Sequence, residues 1–109
     1  MTINICGIPH KVVEVDDNFA LDLHLGMIDY VACEIRVNRN AESRLKEEIL
    51  CHEAVHGILM HLGMSDMNED EQLVQCLANA INQTFTIKCA GDSAVSENRR
   101  TKKKRKKRV

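Results

Sequence analysis

The sequence predicts an α+β fold, in which a small, mainly antiparallel amino-terminal sheet packs on two helices. The first forty residues contain short runs in which apolar and polar residues alternate, the pattern of strands with one buried face. From residue 40 to about residue 85, apolar residues recur every three or four positions, which is typical of amphipathic helices. The 109 residues are 44% hydrophobic, enough for a single modest core.

Four runs account for the predicted sheet. Thr2–Cys6 and Lys11–Val15 are rich in β-branched residues and flank Gly7-Ile8-Pro9, which predicts a hairpin at these three residues. Leu21–Asp29 and Cys33–Asn38 alternate in polarity and predict two further strands. Such alternation favours antiparallel pairing with one face on the core.

Two helices follow the predicted strands. Asn40 is the expected N-cap of a long helix that ends near Leu62, and Gly63 is expected at its carboxyl end. After a tight turn at Ser65–Asn68, a second helix is expected from Glu69 to about Phe85. Because the connection is short, the two helices should be antiparallel and in contact.

The first helix carries His52-Glu53-Ala54-Val55-His56, which matches the H-E-x-x-H zinc signature of metallopeptidases. Residues four apart lie on one helix face, so His52 and His56 can bind one metal ion without distorting the backbone. Glu53 is turned about 100° around the helix, which places it outside the ligand set but close enough to act as a general base. The motif therefore predicts a zinc site with a catalytic carboxylate.

A catalytic zinc site normally has three protein ligands. A metzincin would place its third histidine at position 62, which is a leucine here, and His61 lies on the wrong side of the helix. Glu71 is the preferred third ligand because helix geometry brings the start of the second helix within reach of His56; Asp70 is its competitor. The pattern Asn68-x-x-Glu71 also fits a capping box, which would explain Glu71 without a metal.

Two neighbours of the motif have weaker signals. Glu48 lies one turn before His52 on about the same face and could accept a hydrogen bond from a ligand imidazole. Cys51 adjoins the motif but points about 100° away from His52, so it is expected to be a small buried residue. No side chain is assigned to stabilise an oxyanion, and Tyr30 is the only tyrosine of the chain.

Charge is distributed very unevenly along the chain. Residues 99–109 carry nine of the fifteen basic residues and no acidic one, while all sixteen acidic residues precede them. The expected division is therefore a domain over residues 1–89 and a polar to basic, disordered tail over residues 90–109. The run Arg99–Arg108 could contact nucleic-acid phosphates, although no base-reading motif accompanies it.

Cysteine usage and hydropathy indicate the compartment. The five cysteines are odd in number, widely spaced and lack a C-x-x-C pair, which favours reduced thiols and a cytoplasmic location. No apolar run is long enough for a signal peptide or a membrane span, so no membrane partner is expected.

The order of these features resembles that of the small ImmA/IrrE-like metallopeptidases, which are gluzincin-type zincins common in phages and mobile elements. The resemblance covers roughly residues 1–89 and depends on His52-Glu53-Ala54-Val55-His56-Gly57 and, more loosely, on Glu71-Gln72-Leu73-Val74-Gln75-Cys76-Leu77-Ala78. It implies that His52, His56 and Glu71 bind zinc and that Glu53 is the catalytic base. Because relatives act on transcriptional repressors, it also implies a protein substrate in a bacterial or phage-infected cell.

The leading hypothesis is therefore zinc-dependent hydrolysis of a peptide bond in a protein substrate, possibly a transcriptional regulator. The alternative is a non-catalytic module that uses zinc for structure and binds a regulator, with the basic tail contacting nucleic acid. The role of Glu53 separates the two hypotheses, because only the hydrolase needs this carboxylate.

Overall fold

The computed structural model describes residues 1–16 and 25–89, and it confirms the α+β class. A four-stranded sheet packs against helices. The strands are β1 (Thr2–Ile5), β2 (Ile8–Val15), β3 (Gly26–Asp29) and β4 (Glu34–Asn38). The helices are α1 (Ser43–His61), α2 (Ser65–Glu69) and α3 (Glu71–Thr84).

The strand order in the sheet is β1-β2-β4-β3. β1 pairs with β2 and β3 pairs with β4 in antiparallel fashion, whereas β2 and β4 are parallel. The mainly antiparallel prediction is therefore confirmed, with one parallel pairing at the centre. The register places Val12, Ile35 and Ile28 opposite one another, so their side chains share the face that packs on α1.

The hairpin between β1 and β2 turns at Cys6 and Gly7, where the sequence had predicted Gly7-Ile8-Pro9. Both turn residues have positive φ, 52° and 81°, as a two-residue type I′ turn requires. Ile8 and Pro9 already belong to β2. The predicted hairpin is confirmed, but its turn lies one residue earlier and excludes Ile8 and Pro9, because glycine at the second position satisfies the positive φ of this turn.

Helix α1 contains the whole H-E-x-x-H motif and is capped at both ends. The Glu42 carboxylate accepts hydrogen bonds from the backbone N–H groups of Arg44 and Leu45, at 2.7 and 3.2 Å, so Glu42 is the N-cap and Asn40 is not. At the other end Gly63 has a φ of 75° and closes a Schellman motif, in which its N–H donates to Met60 and the next N–H donates to Leu59. The predicted role of Gly63 is thus confirmed.

The second predicted helix consists of two pieces. Ser65–Glu69 forms the short helix α2 where a tight turn was expected, and the backbone is extended at Asp70, with φ −87° and ψ 94°. The Asp70 carboxylate then caps α3 by accepting the Leu73 N–H at 3.1 Å. Helix α3 consequently begins at Glu71, two residues later than the periodicity indicated.

Helix α1 lies between the sheet and α3 and buries side chains on both sides. Toward the sheet it contributes to a core with Ile3, Ile28 and Ile35. Toward α3 a smaller cluster contains Cys51, Val55, Leu59, Val74 and Ala78. Cys51 contacts Ala78, and His52 contacts Gln75, so residue numbers fall along α3 as they rise along α1. This order is that of antiparallel helices.

Some sequence predictions concern residues outside the described part of the chain. They include the basic tail of residues 90–109 and the first residues of the predicted strand 21–29. Within the described part, no helix combines the length and the apolar character needed to cross a membrane. The five cysteines, all within the described residues, are free thiols.

Candidate metal centre

Three residues of the motif lie at the middle of α1, where the helix faces both the sheet and the start of α3. His52 and His56 are half-buried, with ring centroids 4.9 Å apart and ring planes at 69°. Glu53 is buried, with 8% of its surface exposed, on the side toward β3. The one-residue offset around the helix therefore separates the carboxylate from the two imidazoles, as the helical geometry predicted.

Glu71 brings its carboxylate to both imidazoles. Its Oε1 lies 3.2 Å from His52 Nε2, and its Oε2 lies 3.3 Å from His56 Nε2. One ligand atom from each of the three residues lies within 4.8 Å of the others, so the group could hold a metal ion. The Glu71 carboxylate lies beside both imidazoles because α3 is antiparallel to α1 and begins at residue 71.

The donor set fits zinc. Two imidazole nitrogens and a carboxylate oxygen are the ligands of many catalytic zinc sites, with metal–ligand distances of about 2.0–2.1 Å. Ligand atoms at such distances in a tetrahedron are separated by about 3.3–3.4 Å. Glu71 contacts His52 through Oε1 at 3.2 Å and His56 through Oε2 at 3.3 Å, and one ligand atom from each residue lies within 4.8 Å of the others, so small side-chain rotations would bring the three onto one ion.

The other ring nitrogens contact amide oxygens. His52 Nδ1 lies 2.9 Å from Gln75 Oε1, and His56 Nδ1 lies 2.7 Å from Asn68 Oδ1. An amide oxygen only accepts hydrogen bonds, so each Nδ1 is the donor. Both rings are thereby oriented with Nε2, the nitrogen available to a metal ion, toward Glu71.

Gln75 and Asn68 were not predicted from the sequence. Of the two, only Gln75 could have been inferred, from its spacing along the helix. Gln75 follows Glu71 by one helical turn and lies four residues along the same face, where it can reach the same histidine as Glu71. Asn68 was considered only as a capping residue. Its partner His56 could not be inferred without knowing the path of α2.

The position of Asp70 bears on both alternatives to Glu71 as a ligand, namely Asp70 as the third ligand and Glu71 as a capping-box residue. Asp70 uses its carboxylate as the N-cap of α3, so it is not turned toward the histidines. Glu71 is the first residue of α3 and not the third, and so the capping box expected from Asn68 to Glu71 does not form. The Glu71 carboxylate contacts the two histidines instead.

Three other residues near the motif have different surroundings. Glu48 lines the cavity described below, but the four nitrogens of the two rings contact Gln75, Asn68 and Glu71, so its expected hydrogen bond to an imidazole is not formed. Cys51 is buried and its thiol donates to the Ala78 carbonyl at 3.3 Å; burial raises its pKa. His61 is exposed and contacts the ring of His10, away from the metal centre.

The candidate centre opens into a cavity of about 870 Å³. One wall is aliphatic and consists mainly of Leu25, Ile28, Leu45 and Ile49. His52, Glu53, His56 and Glu71 also line the cavity. The cavity thus combines a polar side, which carries the candidate metal ligands, with an apolar surface on which a side chain of a bound molecule could be buried.

Strand β3 forms the rim of this cavity and lies at an edge of the sheet. A Cβ atom added at Gly26 would collide with the Ile49 side chain and lie 2.9 Å from the Arg36 carbonyl oxygen, so only glycine fits at that position. The same Cβ would lie 3.7 Å from Cγ of Glu53. The absence of a side chain at Gly26 therefore lets β3 pack closely against Ile49 of α1, with the Glu53 side chain at ordinary contact distance.

The turn after β3 holds Tyr30 at the cavity. The Asp29 carboxylate accepts hydrogen bonds from the backbone N–H groups of Val31 and Ala32, at 3.0 and 2.9 Å. The hydrogen bond from Ala32, with smaller contributions from Val31 and Arg36, lowers the pKa of Asp29. An ionised Asp29 consequently fixes the turn in which Tyr30 contributes to the cavity wall.

Comparisons with protein-family models, with curated proteins and with solved structures found no match to this chain.

Proposed function

We propose that the protein is a zinc-dependent metallopeptidase that hydrolyses a peptide bond in a protein substrate. The observation that carries the proposal is the group of His52, His56 and Glu71, on the same cavity as the buried Glu53. Metal-assisted hydrolysis requires a metal ion held by protein ligands, which here would be two imidazoles and the Glu71 carboxylate. It also requires a base beside the metal, which here would be the separate carboxylate of Glu53. The likeness of the motifs to ImmA/IrrE-like peptidases supports the same reaction.

Each side chain has a distinct role in this proposal. His52, His56 and Glu71 would hold the metal ion, and Gln75 and Asn68 orient the two imidazoles. Bound zinc would supply a Lewis acid that polarises the peptide carbonyl and makes a water molecule acidic near neutral pH. Because five residues from three segments converge here, the geometry of the ligands is set before a substrate arrives.

Glu53 is the proposed general base. Its carboxylate accepts a proton from the attacking water, whose oxygen forms the new bond to the carbonyl carbon. As the bond between carbon and nitrogen breaks, the same carboxyl group delivers the proton to the leaving amine. Burial of Glu53 on the cavity side of α1 keeps this proton transfer within the substrate site.

The edge strand supports an extended peptide as substrate. Among residues 1–16 and 25–89, β3 pairs with β4 alone, so its outer backbone groups are available in this part of the chain to pair with a further strand. A peptide added there would lie along the rim of the cavity, near Gly26 and Glu53. The aliphatic wall would then accept an apolar side chain of the peptide. A transcriptional regulator in the bacterial or phage-infected cytoplasm is the proposed protein substrate.

The test compares the parent protein with Glu53→Gln. Both should bind about one zinc ion per chain, as a single three-ligand site requires, when measured by elemental analysis after dialysis. Cleavage of a random peptide mixture, followed by mass spectrometry of new amino termini, should fall by about 10²–10⁴-fold in the variant because the general base is lost. Glu47→Gln is the matched control, since Glu47 is exposed on the same helix.

Two results would contradict the proposal. Equal cleavage by the parent and Glu53→Gln would exclude Glu53 as the base. Stoichiometric zinc binding without cleavage of peptides or of co-expressed regulators would instead favour the non-catalytic, zinc-stabilised binding module.

A further inference from the structure

A chain of two hydrogen bonds joins a proposed metal ligand to the cavity wall. His56 Nδ1 lies 2.7 Å from Asn68 Oδ1, and Asn68 Nδ2 lies 3.1 Å from the Tyr30 hydroxyl oxygen. Asn68 therefore contacts both the imidazole and the phenol, while Tyr30 lines the same cavity as His52, Glu53 and His56. The direction of each hydrogen bond in this chain follows from the binding of a metal.

Metal binding fixes the orientation of all three groups. A metal ion on Nε2 of His56 requires the lone pair there, so the ring hydrogen must be on Nδ1. A donating Nδ1 requires the oxygen of the Asn68 amide, which turns the amide NH₂ group toward Tyr30. The amide NH₂ can only donate, so the Tyr30 hydroxyl oxygen accepts and its own hydrogen must point elsewhere.

Tyr30 lines the cavity, so a ligand bound in the cavity can accept its hydroxyl hydrogen. Among the described residues, the hydroxyl oxygen contacts the Asn68 amide, and no side chain or carbonyl group accepts the hydroxyl hydrogen. A donor held at the wall of a partly enclosed site is the feature that stabilises the oxyanion of acyl transfer. It costs no reorganisation during the reaction because the donor is oriented in advance.

We propose that Tyr30 is a catalytic residue that donates a hydrogen bond to the oxyanion formed from the peptide carbonyl, and that Asn68 is its positioning residue. The phenol keeps its proton throughout, so the balance of the hydrolysis is unchanged. This inference rests on the proposed peptidase function. It adds that the metal and the oxyanion donor are coupled: loading of the metal site selects the orientation of Asn68 in which Tyr30 can donate.

The first test measures binding and does not depend on turnover. The probe is a phosphinic peptide with leucine side chains on both sides of its tetrahedral centre, chosen because the cavity wall is aliphatic. Its oxygens resemble the oxyanion, so zinc-loaded Tyr30→Phe should bind it roughly 10–100-fold more weakly than the parent, the effect of one lost hydrogen bond to a charged group. Affinity for zinc should be unchanged, because Tyr30 is not a ligand.

The matched probe is the same peptide with an ordinary amide in place of the phosphinic group, measured in Glu53→Gln so that it is not cleaved. Tyr30→Phe should leave its affinity unchanged, since the planar amide has no oxyanion to stabilise. Equal loss for both probes would show that Tyr30 shapes the cavity only, and would overturn the inference. No loss for either probe would overturn it as well.

The second test redirects the tyrosine hydrogen with Asn68→Asp. The new carboxylate can accept from His56 Nδ1, so zinc binding should be retained, but it cannot donate to Tyr30 and should accept the hydroxyl hydrogen instead. Cleavage and phosphinic-peptide binding should therefore fall as far as in Tyr30→Phe. The double variant should show no further loss, because both changes remove the same hydrogen bond. Additive losses would overturn the role of Asn68 as the positioning residue.

Tyrosine emission gives an independent measurement. Tyr30 is the only tyrosine and the chain has no tryptophan, so intrinsic fluorescence reports on this one side chain. Emission of the zinc-loaded Asn68→Asp variant should be lower than that of the zinc-loaded parent, since a phenol that donates to a carboxylate is quenched. Equal emission would mean that the hydroxyl hydrogen has not been redirected, and would overturn the role of Asn68 as the positioning residue.

The proposed peptidase function fails separately if the parent protein binds zinc but does not bind the phosphinic peptide.

Discussion

At the scale of single residues, the candidate centre depends on amide side chains as much as on the histidines and the carboxylate. Gln75 accepts from His52 Nδ1, and its own NH₂ group donates to Asn79 Oδ1 at 2.8 Å. The amide is thus held from both ends and cannot rotate to present nitrogen to the imidazole without losing both hydrogen bonds. A neutral acceptor of this kind fixes the ring and its tautomer without adding charge.

Replacing Gln75 tests this role directly. Gln75→Ala should weaken zinc binding by about 10–100-fold, the usual effect of removing the hydrogen-bond partner of a ligand histidine. Gln75→Glu should retain tight binding, because its carboxylate also accepts from His52 Nδ1. Competition with a zinc chelator measures both affinities, and Gln83→Ala, an exposed position of the same helix, is the control. If Gln75→Ala binds zinc as tightly as the control, the amide has no part in orienting the ligand.

The residues of the centre that could be predicted from the sequence are those that obey helical spacing. His52, Glu53 and His56 belong to one helix, so their relative positions were fixed as soon as that helix was recognised. Glu71 needed an estimate of the turn length, and its grouping with both histidines is confirmed. Asn68 was not predicted, since its place beside His56 depends on the fold of α2.

At the scale of elements, the contact between α1 and the sheet depends on Gly57, the residue after the second histidine. A Cβ atom there would lie 3.0 Å from the Cδ1 atoms of both Ile5 and Ile28. The glycine therefore lets the helix backbone approach the sheet more closely than alanine would. This close approach positions the carboxyl half of the motif against β3 and β1.

Gly57→Ala should consequently be destabilising despite the higher helix propensity of alanine. Overpacking costs about 1–3 kcal/mol, while the propensity gain is about 1 kcal/mol, so we expect a net loss of up to about 2 kcal/mol in the free energy of unfolding. Denaturant titration measures this loss. Ile5→Val, which removes one of the two crowded methyl groups, should be less costly in the Gly57→Ala background than in the parent.

The control for that experiment is Gly63→Ala. A Cβ at Gly63 would contact nothing within 4 Å, but its φ of 75° disfavours alanine by about 1–2 kcal/mol. Ile5→Val should not rescue this variant. A similar rescue of both variants would contradict crowding at Gly57 as the cause.

The elements themselves were predicted more reliably than their boundaries and pairings. Alternation revealed the strands, but it carries no information on which strands become neighbours, and the parallel pair of β2 and β4 was not anticipated. The start of α3 was placed two residues early because the cap at Asp70 competes with a plausible cap at Asn68. Only the observed backbone at Asp70 distinguishes these two caps.

At the scale of the whole molecule, the two sides of α1 differ in how many apolar residues they bury. The sheet side is a continuous cluster of buried isoleucine, valine and leucine residues. The α3 side buries Val74 and Ala78 from α3 against three residues of α1, with Leu77, Ile81 and Ile87 partly buried beside them. Because this cluster has five fully buried residues and the sheet cluster has eight, α3 should open more readily than the sheet, as a local unfolding event. The three candidate ligands bridge this weaker interface.

Metal binding should therefore stabilise α3 in particular. At a free zinc concentration of 100 times Kd the folded protein gains about 2.7 kcal/mol, which should raise the unfolding temperature relative to chelator-treated protein. Hydrogen exchange should show the largest slowing at the amides of α3, because opening of that helix requires release of the ligand Glu71. Glu71→Ala should abolish both effects, while Glu69→Ala, an exposed position at the end of α2, should retain them. Zinc protection confined to the sheet would show that the metal binds elsewhere.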